Sequence, residues 1–151
     1  MVWFIELLLY HRIMTLSSPP DPSGFIADLG IERTMCKPGQ SRLELTLTEA
    51  HLNKGGVAHG GIHMVLLDSA LGSALVASLK VEEWCATTQL STSFLSPARP
   101  GDRLIAEGRV VRRGQHVAHL AGEVRVGDQV VATATGTWAI WSSRPPSLNG
   151  N

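Results

Sequence analysis

Two hydropathy patterns divide the chain. From Ile62 to Leu79 nearly every residue is apolar or small, reading IHMVLLDSALGSALVASL, with no proline and no β-branched cluster. Alanine and leucine favour helix, and apolar residues fall at every angle around it, which predicts one long helix buried on all sides. Elsewhere apolar and polar residues alternate. Arg42–Thr48 alternates strictly, as a half-buried strand does. Ile31–Cys36, closed by Lys37-Pro38-Gly39, reads as the strand before it, and Phe25–Leu29 as a short helical turn. Beyond the helix, Ala86–Phe94, Leu104–Arg112, Val117–Val126 and Val130–Trp141 read as strands, and turns are expected at Arg113-Gly114-Gln115 and Gly127-Asp128-Gln129. Antiparallel strands in sequence around one apolar helix predict an α+β domain, with a curved antiparallel sheet wrapped around one long buried helix.

The ends fall outside that domain. Ser17–Ser23 reads SSPPDPS, a linker by composition, so residues 1–20 are expected to be extension and linker, 21–142 the domain and 143–151 a flexible tail. The opening MVWFIELLLYHRIM holds about ten apolar residues interrupted by Glu6, half of what a spanning helix needs. It has no basic n-region and no small-residue cleavage site, and Met14 is an alternative start. A membrane span over Ile62–Leu79 is disfavoured by Asp68, His63, Gly72 and three serines, with no basic flank.

Composition narrows the partners. Thirteen basic residues balance thirteen acidic ones, so no field invites nucleic acid or an anionic membrane. With 44% apolar and 17% charged residues, 151 residues suffice for one well-buried core. The expected partner is a small molecule or a second copy. Cys36 and Cys85 form neither a disulfide framework nor a metal spacing, which makes a reducing cytoplasm the expected setting.

Chemistry concentrates between His51 and Gly72, HLNKGGVAHGGIHMVLLDSALG. A carboxylate at Asp68, in a helix apolar on every side, costs roughly several kcal/mol unless it is paired, hydrogen-bonded or functional. It is either held by a neighbouring strand's hydroxyl or N–H, or it is a working carboxylate, and the second reading is preferred. Gly60-Gly61 opens the helix, where N–H groups lack intrahelical partners and suit a developing oxyanion; a plain turn explains the pair as well. Gly60 and Asp68 are eight residues apart, about 12 Å along one helix. One reacting carbon cannot touch both, so a site using both requires a second chain and a two-fold dimer.

The spacing N-x-x-G-x-x-H-G-G-x-x-x-x-L-x-D-x-A-x-G, carried by Asn53, Gly56, His59, Gly60, Gly61, Leu66, Asp68, Ala70 and Gly72, resembles the PaaI-like branch of the hotdog thioesterases. Ser96-Pro97-Ala98 and the closing Ala132-x-Ala134-x-Gly136-Thr137 extend the resemblance from about Gly24 to Trp141. It implies a hotdog fold and hydrolysis of an acyl-CoA to free acid and CoA, without cofactor. Asp68 would attack the thioester or activate water, the Gly60 N–H would polarise the carbonyl, and Asn53 would place thioester and water. Thr87 matches a hydroxyl position, and His59 would shape the loop before the oxyanion donor. Met64, Leu67 and Leu71 would line the pocket between two helices, Gly61 would also bind substrate, and Arg112 and Arg113 would meet the CoA phosphates, although a solvated turn accounts for those arginines equally. His59 and His63 are spaced i, i+4 but lack a third ligand, so no metal is expected. The assembly would be a homodimer or homotetramer. Two other readings stand beside this one: a non-catalytic hotdog protein that binds or senses acyl-CoA, and a dehydratase using His63 as base.

Overall fold

The computed structural model describes residues 24–146. A short helix α1 (Phe25–Asp28) leads into β1 (Glu32–Lys37) and β2 (Gln40–Thr46). A single 3-10 turn (Glu49–His51) precedes the long helix α2 (Gly60–Val76), which is followed by β3 (Trp84–Phe94), β4 (Arg103–Arg113), β5 (Val117–Val126) and β6 (Gln129–Trp141). The extension, the linker, Met14 and the end of the tail lie outside the described residues.

All six strands form one antiparallel sheet in the order β1-β2-β4-β5-β6-β3. This α+β, hotdog-like arrangement corrects the expectation of a curved sheet wrapped around the helix. The sheet is open, with β1 and β3 as separate edges, and α2 lies against one face, chiefly over β2, β4 and β5. Alternation along a strand tells which side chains face inward; it says nothing about how far the sheet curls.

The seat of the helix is set backbone to backbone. The Ser41 hydroxyl donates to the Ala70 carbonyl at 2.5 Å and the Gly39 N–H to the Ala74 carbonyl at 3.1 Å, so β2 and its turn hold the middle of α2. Beneath lie Leu43, Leu45, Leu104, Ala106, Leu120, Val124 and Trp138, each at most 3% exposed. The β1–β2 hairpin closes through Gly39 and the β5–β6 hairpin through Gly127, both in the left-handed region (φ 81° and 55°) that glycine enters without strain.

A second correction concerns the helix. Ile62, His63, Leu66, Leu67, Ala70, Leu71, Ser73, Ala74 and Leu75 are buried against the sheet, but Met64 is exposed, and Val65, Asp68, Ser69, Gly72 and Val76 are only half-buried. At 3.6 residues per turn these six form one stripe facing away from the sheet. The helix is therefore not buried all round. No helix among the described residues is long and apolar enough to cross a membrane.

Candidate active site

The start of α2 is fixed by the loop before it. Leu52 and Ala58 form an isolated bridge. Within that loop the Asn53 N–H donates to Val57 O (2.8 Å), and the Gly56 N–H to Asn53 O (3.0 Å). Asn53 Oδ1 accepts from the Gly55 N–H at 2.7 Å, so the amide oxygen is spent inside the loop and its NH2 remains the available donor. Ala58 N–H to Ala98 O and His59 N–H to His51 O, both 2.9 Å, tie the loop to its neighbours. His59 is the N-cap: its backbone is extended and its Nδ1 accepts from the Gly61 N–H at 3.0 Å. The neutral ring therefore carries its proton on Nε2. With the Gly61 N–H capped, the Gly60 N–H stands at the helix start with no hydrogen-bond acceptor among the described residues. The Gly61 N–H thus serves the cap.

Asp68 sits two turns further along, on the outward stripe and not in an apolar interior. The Thr87 hydroxyl of β3 donates to Asp68 Oδ1 at 2.8 Å. One carboxylate oxygen is thereby oriented, and the other is left without a hydrogen-bond donor among the described residues. The structure brings Asp68 to Thr87 and His59 to Gly61, with Gly60 between cap and helix. No hydrogen bond joins Asn53 to Asp68 among the described residues.

Met64, four residues before Asp68, is 43% exposed on the same stripe. Leu67 and Leu71 differ from expectation: both are fully buried against the sheet and cannot line an open pocket. Their angular position on α2, a quarter turn from Asp68, faces them into the core. Arg113 is ion-paired to Glu83, which answers its charge locally and leaves it a poor candidate for phosphate. Burial works against ionisation of Glu83, but the Lys80 N–H and the Arg113 guanidinium outweigh it and hold the carboxyl below its ordinary range. Arg112 follows a register slip in β4 after Val110, is exposed, and has no ion pair among the described residues.

Phe94, at the end of β3, was not singled out by sequence. It is 54% exposed and its ring lies against Gly60. No periodic signal marks a single aromatic at a strand end. Its place just before Ser96-Pro97-Ala98, within the resemblance, is the one hint the sequence offers. His63, read as an alternative base, is 4% exposed and its Nδ1 has no hydrogen-bond partner among the described residues; burial lowers its pKa. The two cysteine thiols are pushed up by burial, Cys85 to about 11, so neither is a ready nucleophile. Among the described residues no group of three or more His, Cys, Asp or Glu is arranged to hold a metal ion.

Two of the concavities among the described residues, of about 530 and 470 Å³, are not lined by Asp68, Gly60 or Thr87. The larger lies on the sheet face opposite the helix, among Gln40, Glu107, Arg109 and Thr135. In one chain, then, the Asp68 carboxylate and the Gly60 N–H stand apart on an open surface.

Residues 55–133 match the Thioesterase superfamily, a span that includes Gly60, Asp68, Thr87 and Phe94 and begins just after Asn53. A Deinococcus radiodurans protein named "Putative esterase" is 36% identical over 120 residues, covering 78% of this chain and 80% of its own. Among solved structures, a conserved protein of Pseudomonas aeruginosa is similar at 26% identity and a TM-score of 0.76, covering 80% of this chain and 95% of its own. The phenylacetic acid degradation protein PaaI of Thermus thermophilus, solved as a mutant, is similar at 26% identity and a TM-score of 0.72, covering 76% and 96%.

Proposed function

The chain belongs to the thioesterase superfamily, as a PaaI-like hotdog protein, and from that premise we propose that it hydrolyses an acyl-CoA to the free acid and CoA. The observation that carries the reading is the Thr87–Asp68 hydrogen bond on the outward face of α2. A carboxylate oriented by a strand hydroxyl, on a face left open by its own chain, is built to act on something outside that chain.

The chemistry asks for three things. A nucleophile must reach the thioester carbon, the carbonyl oxygen must be stabilised as it gains charge, and the thiolate must leave. Asp68 supplies the first, by direct attack or by taking a proton from water, with Thr87 fixing the carboxylate's direction. The Gly60 N–H supplies the second, at the positive end of a 17-residue helix. The Asn53 NH2, at the base of the loop that delivers Gly60, helps place the thioester or water. Where Asp68 takes a proton from water, that proton passes to the departing CoA thiolate. Where it attacks directly, solvent protonates the thiolate and water then opens the acyl–Asp68 anhydride to free acid and carboxylate.

Both halves meet only in a dimer. Gly60 and Asp68 are about 12 Å apart along the helix, whereas one oxyanion donor must lie about 3 Å from the reacting carbonyl oxygen. Among the described residues β3 pairs only with β6, and its eleven residues present a free edge, a surface that natural sheets cover. Antiparallel pairing of two such edges, centred between Leu90 and Ser91, sets Thr87 of one copy opposite Phe94 of the other. That brings the Thr87–Asp68 pair of one chain to the Gly60–Phe94 pair of its partner. Arg112, exposed and without an ion pair among the described residues, is the remaining candidate for a CoA phosphate.

The test is a hydrolysis panel of short, medium, long and aryl acyl-CoAs read with a thiol-reactive dye. Turnover of at least one class, lost in Asp68→Asn, supports the reading. Tight binding of acyl-CoA without thiol release would instead make the chain a binding or sensor protein.

A further inference from the structure

Phe94 ends β3 against the first turn of α2. A Cβ built on Gly60 would lie 3.3 Å from Phe94 Cζ and 3.4 Å from Cε1, so the ring rests on the glycine itself, in a space that a side chain would contest. Behind it lies the His63 ring, 6.1 Å between centroids and tilted by 56°. His63 is buried and its pKa is held below the ordinary value by that burial, so this floor is an uncharged ring at neutral pH. Phe94 nevertheless keeps 54% of its surface open, as do Leu95 (56%) beside it and Met64 (43%) one turn along the helix. The open side of the Phe94 ring thus stands beside Gly60, whose N–H is unused, and Met64 follows on the same face of the helix.

We propose that the Phe94 ring is the wall that meets the acyl group and sets the chain length the site accepts, an inference that rests on the thioesterase reading above. A carbonyl oxygen hydrogen-bonded to the Gly60 N–H, about 2.9 Å from the nitrogen, holds its carbonyl carbon and first substituent carbon within van der Waals reach of a ring seated on that same glycine. Two substituents leave the carbonyl carbon, the acyl chain and the sulfur of the pantetheine arm. The arm carries amides that need hydrogen-bond partners, and the Phe94 ring offers none while the Met64 sulfur is at best a weak acceptor. A hydrocarbon loses nothing by lying there and gains the burial of its apolar surface. Because the ring is backed by Gly60 and His63, it cannot retreat from a longer chain without leaving its seat. Phe94 is therefore both the contact and the stop.

The experiment compares wild type, Phe94→Leu and Phe94→Ala across saturated acyl-CoAs of increasing length, by kcat/KM. The same three proteins are titrated with non-hydrolysable acyl-CoA thioethers of the same lengths by calorimetry. Truncating the ring is expected to move the preference towards longer chains, changing the long-to-short ratio by ~10-fold or more, with Phe94→Leu between the other two. A uniform loss at every length, in hydrolysis and binding alike, overturns the proposal and leaves Phe94 a structural residue. If the wild type hydrolyses no acyl-CoA, the thioesterase reading fails and the thioether titrations decide. A length preference in binding that shifts with Phe94 still supports the wall; equal affinities, or no binding at all, overturn it.

Discussion

Gly108 of β4 meets the backbone of Ala70 in α2 so closely that a Cβ on Gly108 would fall 2.6 Å from the Ala70 carbonyl carbon and 2.7 Å from its oxygen. No flexible side chain is there to move aside, so the contact sets the distance between helix and sheet. The same Ala70 carbonyl takes the Ser41 hydroxyl, so two strands fix one point on the helix two residues from Asp68. Gly108→Ala should lift the helix and destabilise the fold by about 1–3 kcal/mol or more, the range for overpacking. Denaturant unfolding measures it, and a variant as stable as wild type would mean that helix and sheet are not held at this point.

Asp68→Asn keeps the shape and removes the charge. Turnover should fall by about a hundredfold or more, the scale of losing a positioned base or nucleophile. Because Asp68 is half-exposed, the unfolding free energy should shift by no more than about 0.5 kcal/mol. Substantial residual activity would show that the carboxylate is not the reacting group.

Thr87 acts through Asp68, so its substitution should be milder and chemically specific. Thr87→Val removes the hydroxyl at nearly constant volume and should cost about tenfold in kcat, the scale of a hydrogen bond to a charged acceptor. Thr87→Ser should recover most of it. Equal losses in both variants would point to packing of the β3 edge.

How much of this could be read from the chain alone depends on which residues carry the information. The helix and the strands were legible within a few residues because their apolar positions repeat locally, and the Asn53-to-Gly72 spacing was enough to suggest the family. The openness of the sheet was not, since Leu43, Leu104 and Leu120 would alternate in the same way in a flat or a curled sheet. The outward stripe was hidden because Met64, Val65 and Val76 are as apolar as the residues facing the core; only Asp68, Ser69 and Gly72 break the pattern. The contact of Phe94 with Gly60 spans 34 positions of chain and leaves no periodic trace.

His63 gives the fold a pH dependence with a defined sign. Burial lowers its pKa in the folded state, while in the unfolded chain it titrates near its ordinary value of about 6.5. Between the folded pKa and that value the unfolded state binds more protons, so stability rises with pH there. The contribution is complete above about 6.5 and is lost as pH falls through the folded pKa. Urea midpoints from pH 7.5 down to 4.5 should therefore decline more steeply for wild type than for His63→Leu. Parallel curves would remove His63 from the account.

The shared site can be tested without any assembly structure. If the Gly60 N–H and Asn53 come from one copy and Asp68 with Thr87 from the other, Asn53→Ala and Asp68→Asn are each nearly inactive as homodimers. In a mixed dimer one site collects both substitutions, and the other has an intact Asn53, Gly60, Thr87 and Asp68. Random reassociation of equal amounts gives about half heterodimers, each with one intact site in two, so activity should recover to about a quarter of wild type. A site contained in one chain predicts no recovery, because every site would then carry one defect. The helix geometry favours recovery, since about 12 Å of α2 separates Gly60 from Asp68 within a chain. Subunit exchange is followed independently with differently tagged copies. Mixtures that demonstrably exchange and stay inactive would show that Asn53 and Asp68 serve the same site from the same chain, and the dimer proposed through the β3 edge would lose its functional argument.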